Sequence, residues 1–100
     1  MKIVDFKSVS PLYEMERNGE KPFTTRKIDY RDKRFRVLSQ WIPGDSWGIR
    51  ITNPATGESF VRELIAKDRL RYFNSRQKDW KNRLTLLEGW VIIVMGDRLK

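Results

Sequence analysis

Four residues near the start of the chain have types and spacing suited to binding an anion or a nucleotide. Gly19 is followed by Lys21 and then by Thr24 and Arg26. A glycine lets the chain turn sharply, and a lysine just after the turn supplies a mobile cation. Thr24 and Arg26 are two positions apart, so on a strand they face the same side, where Arg26 can hold a phosphate or a base edge through paired hydrogen bonds. If these side chains converge, they form a small polar pocket.

The order Gly-x-Lys-x-x-Thr-x-Arg over residues 19–26 resembles the signature of the ASCH family, a branch of the PUA-like superfamily. The chain also resembles small phage-type members, because an Arg-Lys-Ile-Asp segment at residues 26–29 is followed by Arg34 and Phe35. The resemblance is specific over residues 19–27 and is architectural elsewhere. It implies a small mixed β-barrel of about five to six strands and a cleft suited to RNA or a nucleoside.

Some members of that family are amidohydrolases that act on acetylated cytidine. The resemblance implies a lysine base, a threonine nucleophile and a carboxylate further along the chain, and Lys21 and Thr24 occupy the first two positions. A threonine hydroxyl needs a nearby base, and a lysine can serve if burial lowers its pKa toward neutrality. Residues 66–82 contain Asp68 and Asp79 but no glutamate, so the third position is not identified. Catalysis through Lys21 and Thr24 stays open as a second alternative.

The composition of the chain excludes several kinds of site. Cysteine and histidine are absent from the 100 residues, which excludes disulfides, zinc sites built on these residues, cysteine nucleophiles and histidine bases. We therefore predict neither a metal nor a cofactor. The first residues are too few and too charged for a signal peptide, and the apolar run at residues 90–95 is too short to span a membrane. We expect a cytoplasmic protein without a membrane partner.

Positive charge is concentrated in two windows of the sequence. The chain has 21 Lys and Arg against 13 Asp and Glu, a net charge of +8. Residues 21–36 and residues 67–83 each contain seven basic and two acidic residues. Such clustering is typical of nucleic-acid binding, and with the resemblance it favours RNA over duplex DNA. The residues predicted to bind nucleic acid are Lys21, Thr24, Arg26, Lys27, Tyr30, Arg31, Lys33, Arg34, Arg69, Arg71, Tyr72 and Arg76.

A different class of function is open as the first alternative. A small basic protein of phage type could bind and modulate an acidic host protein. The two hypotheses differ in their expected salt dependence and stoichiometry. Nucleic-acid binding predicts a steep loss of affinity as salt rises, whereas a protein partner predicts a stoichiometric complex and no general affinity for RNA.

The elements that position these residues are short, and together they predict one α+β domain over residues 1–100. Ser10 and Pro11 predict the start of a short helix that presents Leu12 and Met15 on its apolar face and ends at Gly19. A charged helical insertion is predicted over residues 67–83, before a central last strand. Strands are predicted at residues 3–6, 23–27, 35–41, 47–52, 59–65 and 90–95.

Overall fold

The computed structural model describes residues 1–29, 31–70 and 89–99. Within these ranges the strands form one sheet that curls into a half-barrel, so a small α+β, barrel-like fold is confirmed. Neither helix in the described part of the chain is long and apolar enough to cross a membrane. The elements in chain order are β1 (Lys2–Lys7), α1 (Leu12–Asn18), β2 (Phe23–Lys27), α2 (Lys33–Leu38), β3 (Trp47–Thr52), β4 (Ser59–Leu70) and β5 (Trp90–Arg98).

The sheet has the order β1-β3-β4-β5-β2, so β1 and β2 form its two edges although they follow each other in the sequence. β1 runs parallel to β3, and β2 runs antiparallel to β5. β3 and β4 form the predicted hairpin. The predicted central position of the last strand is also confirmed, because β5 lies between β4 and β2.

The core lies on the inner face of the sheet, which we define as the face that α1 and α2 cover. Tyr13 of α1 packs on Phe60, and Phe35 of α2 packs on Phe6, with ring centroids 5.4 and 5.9 Å apart. Alternate strand residues point to this face, as period-two patterning requires. The buried apolar residues of the strands on this face are Val4, Phe6, Ile49, Ile51, Phe60, Leu64, Val91, Ile93 and Met95.

Helix α1 ends where the sequence predicts but turns a different face to the core. Gly19 ends it in the left-handed conformation, with φ +84°. Pro11 is the N-cap and provides no side-chain bond, while the predicted cap Ser10 donates its hydroxyl to Glu14. The predicted apolar face was wrong, because Leu12 is exposed whereas Tyr13 and Glu16 are buried. The Tyr13 ring fills the space over Phe60, which fixes the rotation of this short helix.

The predicted strand at residues 35–41 is wrong, because residues 33–38 form α2. The Asp32 carboxylate accepts a hydrogen bond from the Arg34 backbone N–H at 2.9 Å and caps the helix N-terminus. Phe35 and Leu38 are three residues apart and share the face turned to the core. Trp41 is buried just beyond the helix, so the apolar residues that look like a strand pattern are divided between a helix and a loop.

β4 extends further than the sequence predicts. The predicted helix over residues 67–83 is wrong at its start, because residues 67–70 continue β4 and pair with residues 90–93 of β5. Pairing along β5 satisfies the backbone hydrogen bonds that a helix would otherwise supply. The register shifts twice between Arg62 and Ala66. The remaining part of the predicted helix, residues 71–83, lies outside the described residues.

Replacing Gly19 with alanine should destabilise the protein by about 1–2 kcal/mol, because its left-handed φ disfavours a side chain. A Cβ at Gly19 would also lie 3.2 Å from Arg62 Nη2. Gly57 is the matched control, since it has φ +78° and no atom within 4 Å of such a Cβ. Chemical denaturation of Gly19→Ala and Gly57→Ala separates the two effects. Equal losses would mean that the contact with Arg62 is irrelevant.

Candidate nucleic-acid interface

A continuous chain of polar contacts joins Lys21 to Arg26 through a buried carboxylate. Lys21 Nζ donates to Glu16 Oε2 at 2.9 Å, and the Ser8 hydroxyl donates to Glu16 Oε1 at 2.7 Å. Arg26 Nη2 in turn donates to Ser8 Oγ at 2.7 Å. Only 1% of Glu16 is exposed, so its charge depends on these partners for compensation. Two cations of the sequence signature therefore converge, and Glu16 lies between them.

Arg26 connects the two edges of the half-barrel. Its side chain starts on β2, and its Nη1 donates to the Lys7 carbonyl at the end of β1 at 2.5 Å. Its Cζ lies 5.2 Å from the centroid of the Phe6 ring, in range for a cation–π contact. Burial lowers the pKa of the Arg26 guanidinium, nearby Glu16 raises it, and Arg34 lowers it. Arginine remains charged at neutral pH even so, which leaves a fixed cation where the edges meet.

Arg34 places a second guanidinium beside the same ring. Its Cζ lies 4.9 Å from the Phe6 centroid, and its Nη1 donates to the Asp5 carbonyl at 3.0 Å. Its Nη2 lies 2.5 Å from Asp32 Oδ2, and this hydrogen bond raises the pKa of Arg34. The carbonyls of Asp5 and Lys7 on the edge strand are thus capped by arginines, which protects that edge from pairing with another strand.

Further basic residues are close to Arg26 or Arg34 along the chain, or provide a carbonyl to Arg26 as Lys7 does, and with the two arginines we call this group of residues the cationic seam. Its members are Lys7, Arg26, Lys27, Arg31, Lys33 and Arg34. Lys7, Lys27 and Lys33 are exposed, and the Arg31 side chain is 93% exposed. The seam therefore presents several cations to solvent at the place where Arg26 and Arg34 are held in fixed positions.

Two aspartates neutralise part of the cationic seam. Asp29 accepts from the backbone N–H and Nε of Arg31, and Asp32 accepts from the same groups of Arg34. The backbone N–H of Arg31 lowers the pKa of Asp29, and the Arg34 side chain lowers the pKa of Asp32. Both carboxylates are ionised at neutral pH, so the six basic residues keep an excess of positive charge.

The residues predicted for the pocket have different environments. Lys21 donates to both Glu16 and the Phe23 carbonyl, so these two contacts hold its Nζ in place. Thr24 is only 2% exposed and faces the same side of β2 as Arg26, as predicted. Lys21 and Thr24 therefore belong to the buried side of the site, and the accessible cations lie in the cationic seam.

The second basic window begins close to the first across the sheet. Arg26 on β2 and Arg69 on β4 both pair with Val91, which lies between them on β5. Backbone pairing therefore places the start of the second basic window, residues 67–83, opposite the same residue of β5 as Arg26. The other predicted nucleic-acid contacts, Tyr30, Arg71, Tyr72 and Arg76, lie outside the described residues.

Sequence reasoning did not assign Glu16 or Ser8 to the site. A signal for Glu16 was present, because it follows Tyr13 by three residues and shares its helical face. A glutamate at such a position is buried only when cations or hydroxyls compensate it, and Lys21 is near enough in sequence to do so. Ser8 gave no comparable signal, since its contacts with Glu16 and Arg26 bridge 8 and 18 positions.

No protein-family model and no curated protein matches this chain. Membership of the ASCH family and the PUA-like form of the barrel therefore stay predictions from the signature at residues 19–27. Among the described residues, no group of three or more acidic side chains is placed to hold a metal ion.

Proposed function

We propose that the protein binds single-stranded nucleic acid, RNA in preference to duplex DNA, along the cationic seam. The observation that carries the proposal is the pair of guanidiniums beside Phe6, with Cζ atoms 5.2 and 4.9 Å from the ring centroid. Each arginine also donates to a backbone carbonyl of β1, so the two charges are fixed before a ligand arrives. Positions fixed in advance reduce the entropy lost on binding.

The chemistry of the seam suits phosphate better than a neutral ligand. Guanidinium groups match phosphate oxygens geometrically, and the exposed lysines add point charges that displace counterions. Arg26 is half-buried at the junction of two strand edges. A flexible single strand can bring a phosphate to such a recessed cation more easily than a stiff duplex. The preference for RNA over single-stranded DNA rests on the ASCH resemblance alone.

Lys7→Ala should weaken binding of short single-stranded RNA and lower the slope of log affinity against log salt by about 0.7, the value for one lost phosphate contact. Lys2→Ala is the matched control, because Lys2 lies on the same strand about 17 Å away at the usual rise per residue. Fluorescence anisotropy with single-stranded RNA, duplex RNA and duplex DNA, at low and physiological salt, measures both effects.

Two results would contradict the proposal. If Lys2→Ala and Lys7→Ala weaken binding equally, net charge rather than the cationic seam accounts for it. If wild-type protein binds all three ligands alike and only at low salt, the affinity is non-specific. In that second case the alternative of an acidic protein partner is the next to test, by titration against that partner.

A further inference from the structure

The two guanidiniums beside Phe6 have a fixed spacing that depends on the backbone of β1. Arg34 Nη1 donates to the carbonyl of Asp5, and Arg26 Nη1 donates to the carbonyl of Lys7. These carbonyls are two residues apart on one strand, which corresponds to about 6.6 Å. The two Cζ atoms flank one ring, so their separation cannot exceed the sum of their distances to its centroid.

We infer that Arg34 and Arg26 bind two consecutive phosphates of one nucleic-acid strand that runs along β1. The inference rests on the proposed function and specifies the ligand of the same site. The two-residue repeat of a β-strand is comparable with the spacing of consecutive phosphates along one strand. Consecutive phosphates along one strand of a duplex have a similar spacing, so the preference for a single strand rests on the half-buried position of Arg26. The spacing specifies two adjacent phosphates of one strand.

Both arginines retain donors for such a ligand. A guanidinium has five N–H groups, two on each Nη. The bonds described for Arg26 use one hydrogen on Nη1 and one on Nη2, and its buried Nε has no partner in the described part of the chain. Arg34 uses Nε, one hydrogen on Nη1 and one on Nη2. Each group can thus add hydrogen bonds to a phosphate without releasing β1.

Asp32 would compete with a phosphate for binding to Arg34. Its carboxylate accepts from Arg34 Nε at 3.0 Å and from Nη2 at 2.5 Å. A phosphate on Arg34 would lie close to this negative charge, and like charges at such range repel. Asp29 has the same relation to Arg31, but Arg31 does not contact β1 among the described bonds. The pair of Asp29 and Arg31 is therefore a matched control for the pair of Asp32 and Arg34.

The test uses two pairs of charge-matched variants and single-stranded RNA at physiological salt. Arg34→Lys should weaken binding about fivefold to tenfold, because lysine keeps the charge but loses the planar fork, whereas Arg31→Lys should change it less than twofold. Asp32→Asn keeps a capping residue for α2 and should tighten binding at least threefold, and Asp29→Asn should have a smaller effect. Thermal unfolding of each variant checks that it is folded.

A trinucleotide with two internal phosphates should also compete better than a dinucleotide with one. The inference is wrong if Arg34→Lys equals Arg31→Lys, or if Asp32→Asn equals Asp29→Asn, while single-stranded RNA still binds in preference to duplex. That result would leave the proposed function standing. If wild-type protein fails to bind single-stranded RNA at physiological salt, both the inference and the proposed function are wrong.

Discussion

Replacing Glu16 with glutamine is expected to lower the free energy of unfolding by about 2–3 kcal/mol, one of the largest effects of any single substitution in this chain. Glu16 is 1% exposed and accepts hydrogen bonds from Lys21 and Ser8, while Arg26 donates to the same serine. Glutamine keeps the shape of the side chain but leaves Lys21 without an opposite charge in contact. Because Lys21 is partly exposed, water offsets some of this loss.

Glu20→Gln is the matched control, since Glu20 is exposed and lies just beyond the same helix. It should change stability by less than about 0.5 kcal/mol. Chemical denaturation measures both variants, and the double variant Glu16→Gln with Lys21→Met should recover part of the loss, because contacting residues are coupled. A loss for Glu16→Gln no larger than that of the control would mean that the buried carboxylate contributes nothing to stability.

Arg62→Met should cost about 3 kcal/mol, because one guanidinium on β4 holds three backbone carbonyls. Arg62 Nε donates to the backbone carbonyl of Glu16, and Nη2 donates to the backbone carbonyl of Arg17, at the end of α1. Nη1 donates to the backbone carbonyl of Gly96 on β5. Bonds from a charged donor are stronger than neutral ones, and a cation at a helix C-terminus is favoured. Methionine keeps the apolar stem but leaves these carbonyls without their donor.

Arg50→Met is the control for the loss of an arginine from the neighbouring strand. Arg50 makes an exposed ion pair with Asp5 at 3.0 Å, and such pairs contribute about 1 kcal/mol or less. A thermal shift of several degrees is expected for Arg62→Met and little for Arg50→Met. Similar shifts for the two variants would show that the carbonyl contacts of Arg62 contribute no more to stability than the exposed ion pair of Arg50.

Local patterns predicted the parts of the fold whose partners are close in the sequence. The hairpin of β3 and β4 is set by alternation on either side of a short turn, and Gly19 marks the end of α1. The strand pattern at residues 35–41 failed because a cap at Asp32 and the contact of Phe35 with Phe6 favour a helix. Alternation alone does not separate a strand from a short helix followed by a buried loop residue.

The candidate site was predicted in part, for a physical reason. The signature correctly predicts that Thr24 and Arg26 face one side of β2, because that depends only on strand geometry. The contacts of Arg26 with Ser8 and of Arg62 with Glu16 join residues 18 and 46 positions apart. Such contacts depend on the order of strands in the sheet, which no local pattern contains. Glu16 was therefore identified as part of the site only from the structure.

The placement of β1 and β2 on opposite edges also determines when the cationic seam can form during protein synthesis. β1 can pair with β3 once residues 47–52 have emerged, but β2 pairs with β5, which begins at residue 90. At ordinary translation rates β2 waits roughly 3–12 s for its partner. In the folded sheet, pairing with β5 holds β2 in the position from which Arg26 contacts Lys7. A nascent chain that lacks residues 90–98 therefore has no complete seam, so the proposed nucleic-acid binding at this site would require the finished domain.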